Sequence, residues 1–340
     1  MSGQIIQEQE HAKAFCFAEG IHIIESALGD RIMRQFLLAG DCGALLVDTG
    51  LHSTPFEHIV PYVESIGLDP SEVRYVLTSH SDFDHQGGNI AARKLFPRAL
   101  FLCHDLDRTL IESTDLLIEE RYGEFRVEHG IEDAPETSAW IRSVSRSETP
   151  IDIALKDKAH IRLGAGWMVE LLHTPGHSLG HLSIWDQRSQ TAIIADAVLW
   201  RYLPTRDGKP AFPPTYRYVR PYRQTITRLR ELKPAHLLTS HYPVKSGAQV
   251  DTFFAESLDF VDRFEERVYR EIAESCSALS ARDLIERLSP RLGDWPPSAA
   301  QCLIYPLIGH LESLEKSGLI EAHRDKAFVT WSSVSGGPRK

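Results

Sequence analysis

The sequence has 340 residues, 42% hydrophobic and 25% charged, a composition typical of a folded globular protein. Its 37 basic and 47 acidic residues give a formal charge of −10, which argues against a nucleic-acid partner. No run of about 18 apolar residues is present, so no membrane partner is expected. The first thirty residues are charged and lack an apolar core, which predicts no signal peptide. Five scattered cysteines are typical of reduced thiols in a cytoplasmic protein.

From about residue 20 onward, short apolar segments alternate with helical ones. Segments with the character of strands are 21–26, 34–40, 44–50, 74–79, 99–104, 167–174, 181–186, 191–199 and 235–241. A polar, glycine-containing break at 40–43 predicts a hairpin between two of them. Apolar residues three to four apart predict helices at 54–67 and 89–97. The pattern indicates an α+β fold with helices on the outside.

Two further segments differ from this pattern. Residues 105–150 are charged and mostly helical by pattern, and they predict an inserted cap over one edge of the sheet. Residues 200–225 are rich in Pro, Tyr and Arg and have little periodicity, which predicts a long loop.

After residue 250 the strand pattern stops. An apolar stripe over 254–272 predicts one long helix, and shorter helices are expected at 280–288 and 298–318, the last kinked or split by Pro306. A two-stranded hairpin is predicted at 319–331. This order of elements is typical of a small helical winged-helix-like domain, assigned to residues 250–335.

The segment SHSDFDHQGG (79–88) contains four potential metal ligands in six positions, namely His80, Asp82, Asp84 and His85. Burying two carboxylates and two imidazoles together without a cation would be costly. A divalent metal removes that cost, because neutral imidazole and carboxylate are its natural ligands. A solvated acidic loop is the weaker interpretation, since four ligands and two glycines are concentrated here.

The segment 79–88 follows a predicted strand, and three later positions also place a polar residue at a strand end. His177 lies in TPGHSLGH (174–181), Asp196 ends the apolar strand in IIADAV, and His241 follows the strand in LLTSHYP. Each residue alone is more often structural than functional. Together they indicate that ligands from several strands meet at one edge.

HSDFDH, TPGH, the strand-end Asp196 and His241, together with LLVDTG and its Asp48, resemble the metallo-β-lactamase superfamily over about residues 18–248. The resemblance implies an αββα sandwich with its site at one edge of the two sheets, and a catalytic domain spanning 18–248. It also implies two divalent metal ions, with Zn²⁺ expected first. His80, position 82 and His177 would hold one metal, Asp84, His85 and His241 the second, and Asp196 would bridge them. Asp48 would orient the ligands.

Asp82 departs from the family pattern, which is H-x-H-x-D-H where this chain has H-x-D-x-D-H. Three roles are open for it. It could replace imidazole as a ligand, which would shift the metal preference towards Fe or Mn. It could fall short of the metal and leave one strong site, or it could act as a proton acceptor. The first role is favoured.

The resulting hypothesis is a hydrolase that uses metal-bound hydroxide on an ester, lactone or thioester, with Asp84 or Asp82 passing the proton to the leaving group. The 200–225 segment suggests a clamp for an anionic or aromatic small-molecule substrate, with Tyr216, Arg217, Tyr218 and Arg220 as its candidates. A surface loop or a subunit contact is an equal interpretation, and a homodimer stays open.

Two other functions compete with this hypothesis. Asp82 is compatible with a di-iron oxidoreductase or oxygenase of the same fold. A DNA-binding regulator would use the C-terminal domain, but residues 250–340 contain 11 basic and 15 acidic residues, a net charge of −4. That sign is unfavourable for phosphate contacts.

Overall fold

The computed structural model describes residues 13–145, 148–156, 158–325 and 327–334. Outside these ranges lie the first twelve of the thirty residues used to predict the lack of a signal peptide, two residues of the predicted cap (146 and 147) and two of the predicted C-terminal domain (326 and 335). No described helix is both long enough and apolar enough to cross a membrane.

Strands supply the central layers of the fold. They are β1 (Ala14–Ala18), β2 (Ile21–Leu28), β3 (Arg31–Gly40), β4 (Gly43–Val47), β5 (Val73–Leu77), β6 (Leu100–His104), β7 (Ile153–Leu155), β8 (Ala159–Arg162), β9 (Met168–His173), β10 (Leu182–Asp186), β11 (Thr191–Ala195), β12 (Leu203–Pro204), β13 (Pro210–Phe212), β14 (His236–Thr239), β15 (Lys245–Ser246), β16 (Leu279–Ser280), β17 (Ile320–His323) and β18 (Thr330–Ser333).

Two large sheets are built from these strands. The first has the order β1-β2-β3-β4-β5-β6-β7, antiparallel up to β4 and parallel from β4 to β7. The second has the order β15-β14-β11-β10-β9-β8, in which β11 and β14 are parallel and the other pairs antiparallel. The predicted hairpin is present, with Gly40 paired to Gly43.

Helices cover the outside of the sheets. They are α1 (Val60–Ser65), α2 (Phe83–Gln86), α3 (Asn89–Leu95), α4 (Arg108–Glu112), α5 (Thr114–Leu116), α6 (Arg126–His129), α7 (Pro135–Val144), α8 (Val219–Glu231), α9 (Ala248–Ala273), α10 (Ala281–Leu292) and α11 (Ile304–Lys316). π-helical turns occur at Pro55–Ile59 and Leu117–Tyr122, and 3-10 helices at Pro70–Glu72 and Pro297–Leu303.

The alternation of side chains along the strands produces a four-layer sandwich. Residues of one face, such as Leu45 and Ile193, pack between the two sheets. Residues of the opposite face of the first sheet, such as Leu46, pack against α1 and α3. Ile194, on the opposite face of the second sheet, lies in a core shared with α8 and α9. The predicted α+β class with an αββα sandwich is confirmed.

The C-terminal part follows the predicted order of elements. Its long helix α9 is followed by α10 and α11, and β16, β18 and β17 form a three-stranded sheet. The last predicted helix is split as expected near Pro306, because a 3-10 helix ends at Leu303 and α11 begins at Ile304. Pro306 therefore lies in the first turn of α11, where its missing N–H costs no helical hydrogen bond.

The prediction of a long loop at 200–225 was wrong for its last part. Residues 219–225 belong to α8, and the β12–β13 hairpin precedes them. The helix has a buried face that contains Val219, Tyr222, Ile226 and Leu229. The arginines between these residues obscured that stripe in the sequence.

Candidate metal centre

The polar residues singled out in the sequence meet at one edge of the sandwich because each follows a strand end. His80 and Asp82 follow β5, and the short helix α2 carries Asp84 and His85. His177 follows β9, Asp196 follows β11 and His241 follows β14. All of these except Asp82 are buried.

Among the described residues this cluster contains three groups of three ligand atoms no more than 4.8 Å apart, and two of them match the predicted metal sites. The first contains His80, Asp82 and His177. Asp82 Oδ2 lies 2.9 Å from His177 Nε2 and 3.7 Å from His80 Nε2. Of the roles open to Asp82, this geometry favours the ligand, because its carboxylate reaches the same point as the two imidazoles.

The second group contains Asp84, His85 and His241. Asp84 Oδ2 lies 3.7 Å from His241 Nε2 and 4.0 Å from His85 Nε2. Asp196 Oδ2 is 3.2 Å from His241 Nε2 and 3.6 Å from His85 Nε2. Asp196 also groups with His80 and His85, so its carboxylate stands between the two sets.

The four histidines share one orientation, in which Nδ1 contacts the protein and Nε2 faces the cluster. Such support fixes the tautomer and direction of a ligating imidazole. The Nδ1 contacts are His80 with Ser79 Oγ (3.0 Å), His85 with Asp48 Oδ2 (2.8 Å), His177 with the Thr215 carbonyl (3.2 Å) and His241 with the Ile32 carbonyl (3.0 Å).

Asp48 supports the cluster through hydrogen bonds to Ser79 and His85. It has a positive φ of 61°, a conformation that Asp tolerates better than most residues. Its carboxylate accepts hydrogen bonds from the Ser79 backbone N–H and hydroxyl at 2.7 and 2.8 Å and from His85 Nδ1. It therefore connects the end of β4 to the segment that carries His80 and His85.

The residues fit a bound divalent metal. Nε2 of His80, Nε2 of His85 and Oδ1 of Asp196 are buried atoms without a hydrogen-bond partner in the described structure. Leaving buried polar atoms unsatisfied is costly, and metal coordination would satisfy them. The donor set of imidazole nitrogens and carboxylate oxygens suits Zn²⁺ and also Fe or Mn.

The charges of the cluster shift several pKa values. Burial opposes ionisation of Asp82, but Arg121 and His177 hold its pKa well below the usual range. Burial is likewise outweighed at Asp196, whose pKa is held low by His241 and His85. The pKa of His85 is raised despite burial, because Asp48, Asp196 and Asp84 surround it. The lowered pKa values favour the ionised form of the Asp82 and Asp196 carboxylates, which is the form that binds a metal cation.

A cavity of about 750 Å³ opens above these ligands. The candidate ligands Asp82, Asp84, Asp196 and His241 line it, together with other charged side chains, namely Arg31, Arg121, Glu132 and Asp133. Its apolar wall comes from α2, the predicted cap, the β12–β13 hairpin and the C-terminal part, and includes Phe83, Phe125, Ile131, Trp140, Ile141, Leu203, Phe212, Ile304 and Tyr305. Sequence reasoning did not identify these wall residues, since they carry no motif.

The candidates for a substrate clamp lie elsewhere, because none of the four lines this cavity. Tyr216 is buried with its Oη 2.9 Å from His310 Nε2. Arg217 forms ion pairs with Glu124 and Glu312 at 2.7 Å each. The centre of the Tyr218 ring lies 5.2 Å from Cζ of Arg217. Arg220 is exposed. Arg217 thus joins the C-terminal helix α11 to the cap, which does not support the predicted clamp.

Comparison with known proteins agrees with this geometry. The family model for the metallo-beta-lactamase superfamily matches residues 34–241. The chain belongs to this superfamily. Its members are mostly metal-dependent hydrolases and typically bind Zn²⁺.

The similar curated proteins are distant. An N-acyl homoserine lactonase of Bacillus thuringiensis is 23% identical in an alignment of 189 residues that covers 47% of this chain and 60% of that protein. A probable metallo-hydrolase of Mycobacterium tuberculosis is 29% identical in an alignment of 209 residues that covers 54% of this chain and 62% of that protein. The chain thus matches about three fifths of the length of these relatives.

Two crystal structures show the fold over nearly the whole chain. A metallo-beta-lactamase family protein from Thermus thermophilus superposes with a TM-score of 0.71 at 17% identity, covering 94% of this chain and 100% of that one. A beta-lactamase domain protein from Burkholderia ambifaria gives 0.72 at 18% identity, covering 94% and 93%. The C-terminal helical part is included in this coverage, since residues 34–241 alone would account for far less.

Proposed function

We propose that this chain is a metal-dependent hydrolase that cleaves an ester, lactone or thioester with a largely apolar acyl group. The observation that carries the proposal is that the candidate ligands Asp82, Asp84, Asp196 and His241 line a cavity whose wall also contains many aromatic and aliphatic side chains. The cavity volume lies within the range typical of small-molecule sites.

The roles of the residues follow from their positions. Bound divalent metals lower the pKa of water and polarise a carbonyl group. The seven candidate ligands, His80, Asp82, Asp84, His85, His177, Asp196 and His241, would hold these ions, and Asp48 with the Nδ1 contacts would orient the imidazoles. Asp84 lines the cavity and is the preferred carboxylate for carrying a proton to the leaving group. Asp82 is less suited to that task because Arg121 and His177 already engage its two oxygens.

We also propose that residues 250–335 form a winged-helix-like domain that acts as a wall of the cavity. Ile304 and Tyr305 line the cavity. The hairpin of β17 and β18 contacts the cap, because the Val329 N–H donates to the Glu128 carbonyl at 2.9 Å and Trp331 stacks on His129. A DNA-reading role is disfavoured, since the cap contacts this hairpin and the net charge of this part is negative.

The proposal predicts activity that depends on both metal and acyl length. Protein loaded with Zn²⁺ should hydrolyse p-nitrophenyl decanoate, δ-decalactone or a decanoyl thioester faster than the matching short substrate, which is the acetyl ester, δ-valerolactone or the acetyl thioester, and dipicolinate should abolish the reaction. Steady-state kinetics on this matched panel measure both effects. Protein loaded with metal that cleaves none of the three bond types, or that prefers the short substrate throughout, would contradict the proposal.

Replacing Trp140 with Ala should lower kcat/KM for the decanoyl substrate about tenfold and leave the acetyl substrate nearly unchanged, because burying an aromatic side chain is worth about 1.5–3 kcal/mol. Trp140 packs edge-on against Phe83 at 5.2 Å and lines the cavity. Phe15→Ala is a matched control, because Phe15 is similarly exposed and does not line the cavity. Equal losses on both substrates would show that Trp140 does not contact the acyl chain.

A further inference from the structure

Arg121 is a buried cation in direct contact with a candidate metal ligand. Its Nε lies 3.1 Å from Asp82 Oδ1 and its Nη2 3.5 Å from Oδ2. The two side chains are only 7% and 15% exposed. A guanidinium so close to a divalent metal is unfavourable by itself, because like charges repel strongly at short range away from bulk water.

The protein holds this cation in place from two sides. Arg121 belongs to the π-helical turn Leu117–Tyr122 of the cap. Its guanidinium lies 4.4 Å from the centre of the Tyr305 ring, a stabilising cation–π arrangement, and the Tyr305 hydroxyl donates to the Arg121 carbonyl at 3.4 Å. Residues from the cap and from the C-terminal part thus fix the guanidinium against Asp82.

The two oxygens of the Asp82 carboxylate have different partners. Oδ1 accepts the shorter bond from Arg121, whereas Oδ2 faces His177 and His80. The carboxylate is therefore turned to present one oxygen to the first ligand group. The ionised carboxylate carries one negative charge where a neutral imidazole carries none. The guanidinium of Arg121 carries one positive charge, which offsets it.

We infer that Arg121 is a counter-charge that acts through Asp82 and offsets the negative charge of this carboxylate beside His80 and His177. The pair of Asp82 and Arg121 then behaves electrostatically like one neutral ligand, and the first group can hold a metal as an all-histidine group would. This inference rests on the proposed metal centre and assigns a counter-charge within it.

The inference predicts that positions 82 and 121 must change together. Asp82→His leaves Arg121 buried and unpaired beside the metal, so the affinity for Zn²⁺ at one site should fall about tenfold or more. Adding Arg121→Met removes the unpaired cation and should restore most of that affinity. Arg121→Met alone should not lower the affinity, because it leaves the carboxylate ligand in place and removes a repelling charge.

The test measures Zn²⁺ bound per chain in a nitrilotriacetate zinc buffer, for the wild-type chain, the two single variants and the double variant. Thermal unfolding of each stripped protein shows whether it folds. Asp82→His combined with Arg31→Met is the matched control, because Arg31 also lines the cavity but stacks on Phe212. This control should not regain zinc.

The outcomes distinguish the role of Arg121 from the existence of the metal centre. If Asp82→His binds zinc normally, or if the folded double variant stays as weak as Asp82→His, Arg121 is not the counter-charge. If Arg121→Met alone loses zinc as Asp82→His does, Arg121 only supports the local structure. A wild-type chain that binds no zinc would overturn the metal centre itself, whereas a zinc-binding wild type with no rescue would overturn only the role of Arg121.

Discussion

Replacing Asp196 with Asn is expected to lower kcat/KM by roughly three orders of magnitude, because weakening a catalytic metal removes several kcal/mol of transition-state stabilisation. Asp196 Oδ2 lies within 3.6 Å of Nε2 of both His85 and His241, and its other oxygen is unsatisfied. Asparagine keeps the volume of the side chain but removes the negative charge that would attract a divalent cation. Kinetics on the decanoyl substrate and metal analysis of the same sample measure the two effects.

Asp115→Asn is the control for this exchange. Asp115 is a largely exposed residue of the cap that pairs with Arg142, and exposed ion pairs contribute little. The activity and the metal content of the Asp115→Asn protein should remain those of the wild type. An Asp196→Asn protein that keeps its full metal content and its turnover would show that Asp196 is not a ligand.

Ending the chain after residue 247 is expected to prevent folding of the remainder. Helix α9 buries Phe253, Phe254 and Phe260 in the core that also contains Tyr222 of α8 and Ile194 of β11. Each fully buried apolar side chain contributes about 1.5–3 kcal/mol, so losing the helix removes more than the net stability of a typical domain. Soluble yield and far-ultraviolet circular dichroism measure the outcome, and a soluble, zinc-binding fragment would contradict it.

A point substitution in an intact chain tests how the C-terminal helix α11 packs on the start of α8. Gly309 of α11 packs so closely that an added Cβ would lie inside van der Waals distance of the Arg217 carbonyl and 3.0 Å from Val219. Gly309→Ala should therefore lower the unfolding midpoint, since overpacking costs about 1–3 kcal/mol. Gly166→Ala is the control, because nothing lies within 4 Å of its added Cβ.

The ligand cluster could be predicted from sequence because each member is encoded locally. A strand followed by a turn or a short helix fixes where its first polar residue lies, and this holds for His80, His177, Asp196 and His241. The pattern of apolar strands and outer helices predicted the α+β class, whereas the αββα sandwich was predicted from the resemblance to the superfamily. Whether these residues bind metal stays a proposal.

The cavity wall and the partner of Asp82 could not be predicted, because they depend on contacts between distant segments. Arg121 is one charge among many in the cap, and its neighbour Tyr305 is far away in the sequence. The same limit applies to the predicted clamp, which stays a prediction. Composition cannot show that Arg217 is paired with Glu124 and Glu312.

The central claim is that the chain holds divalent metals at the cluster of His80, Asp82, Asp84, His85, His177, Asp196 and His241. The most direct test is metal content per chain by mass spectrometry, on protein purified without chelators from unsupplemented cells. The account predicts about two zinc ions per chain. Iron or manganese in their place would favour the di-iron oxidoreductase over the hydrolase, and near-zero metal that added zinc, iron or manganese cannot restore would contradict the metal centre.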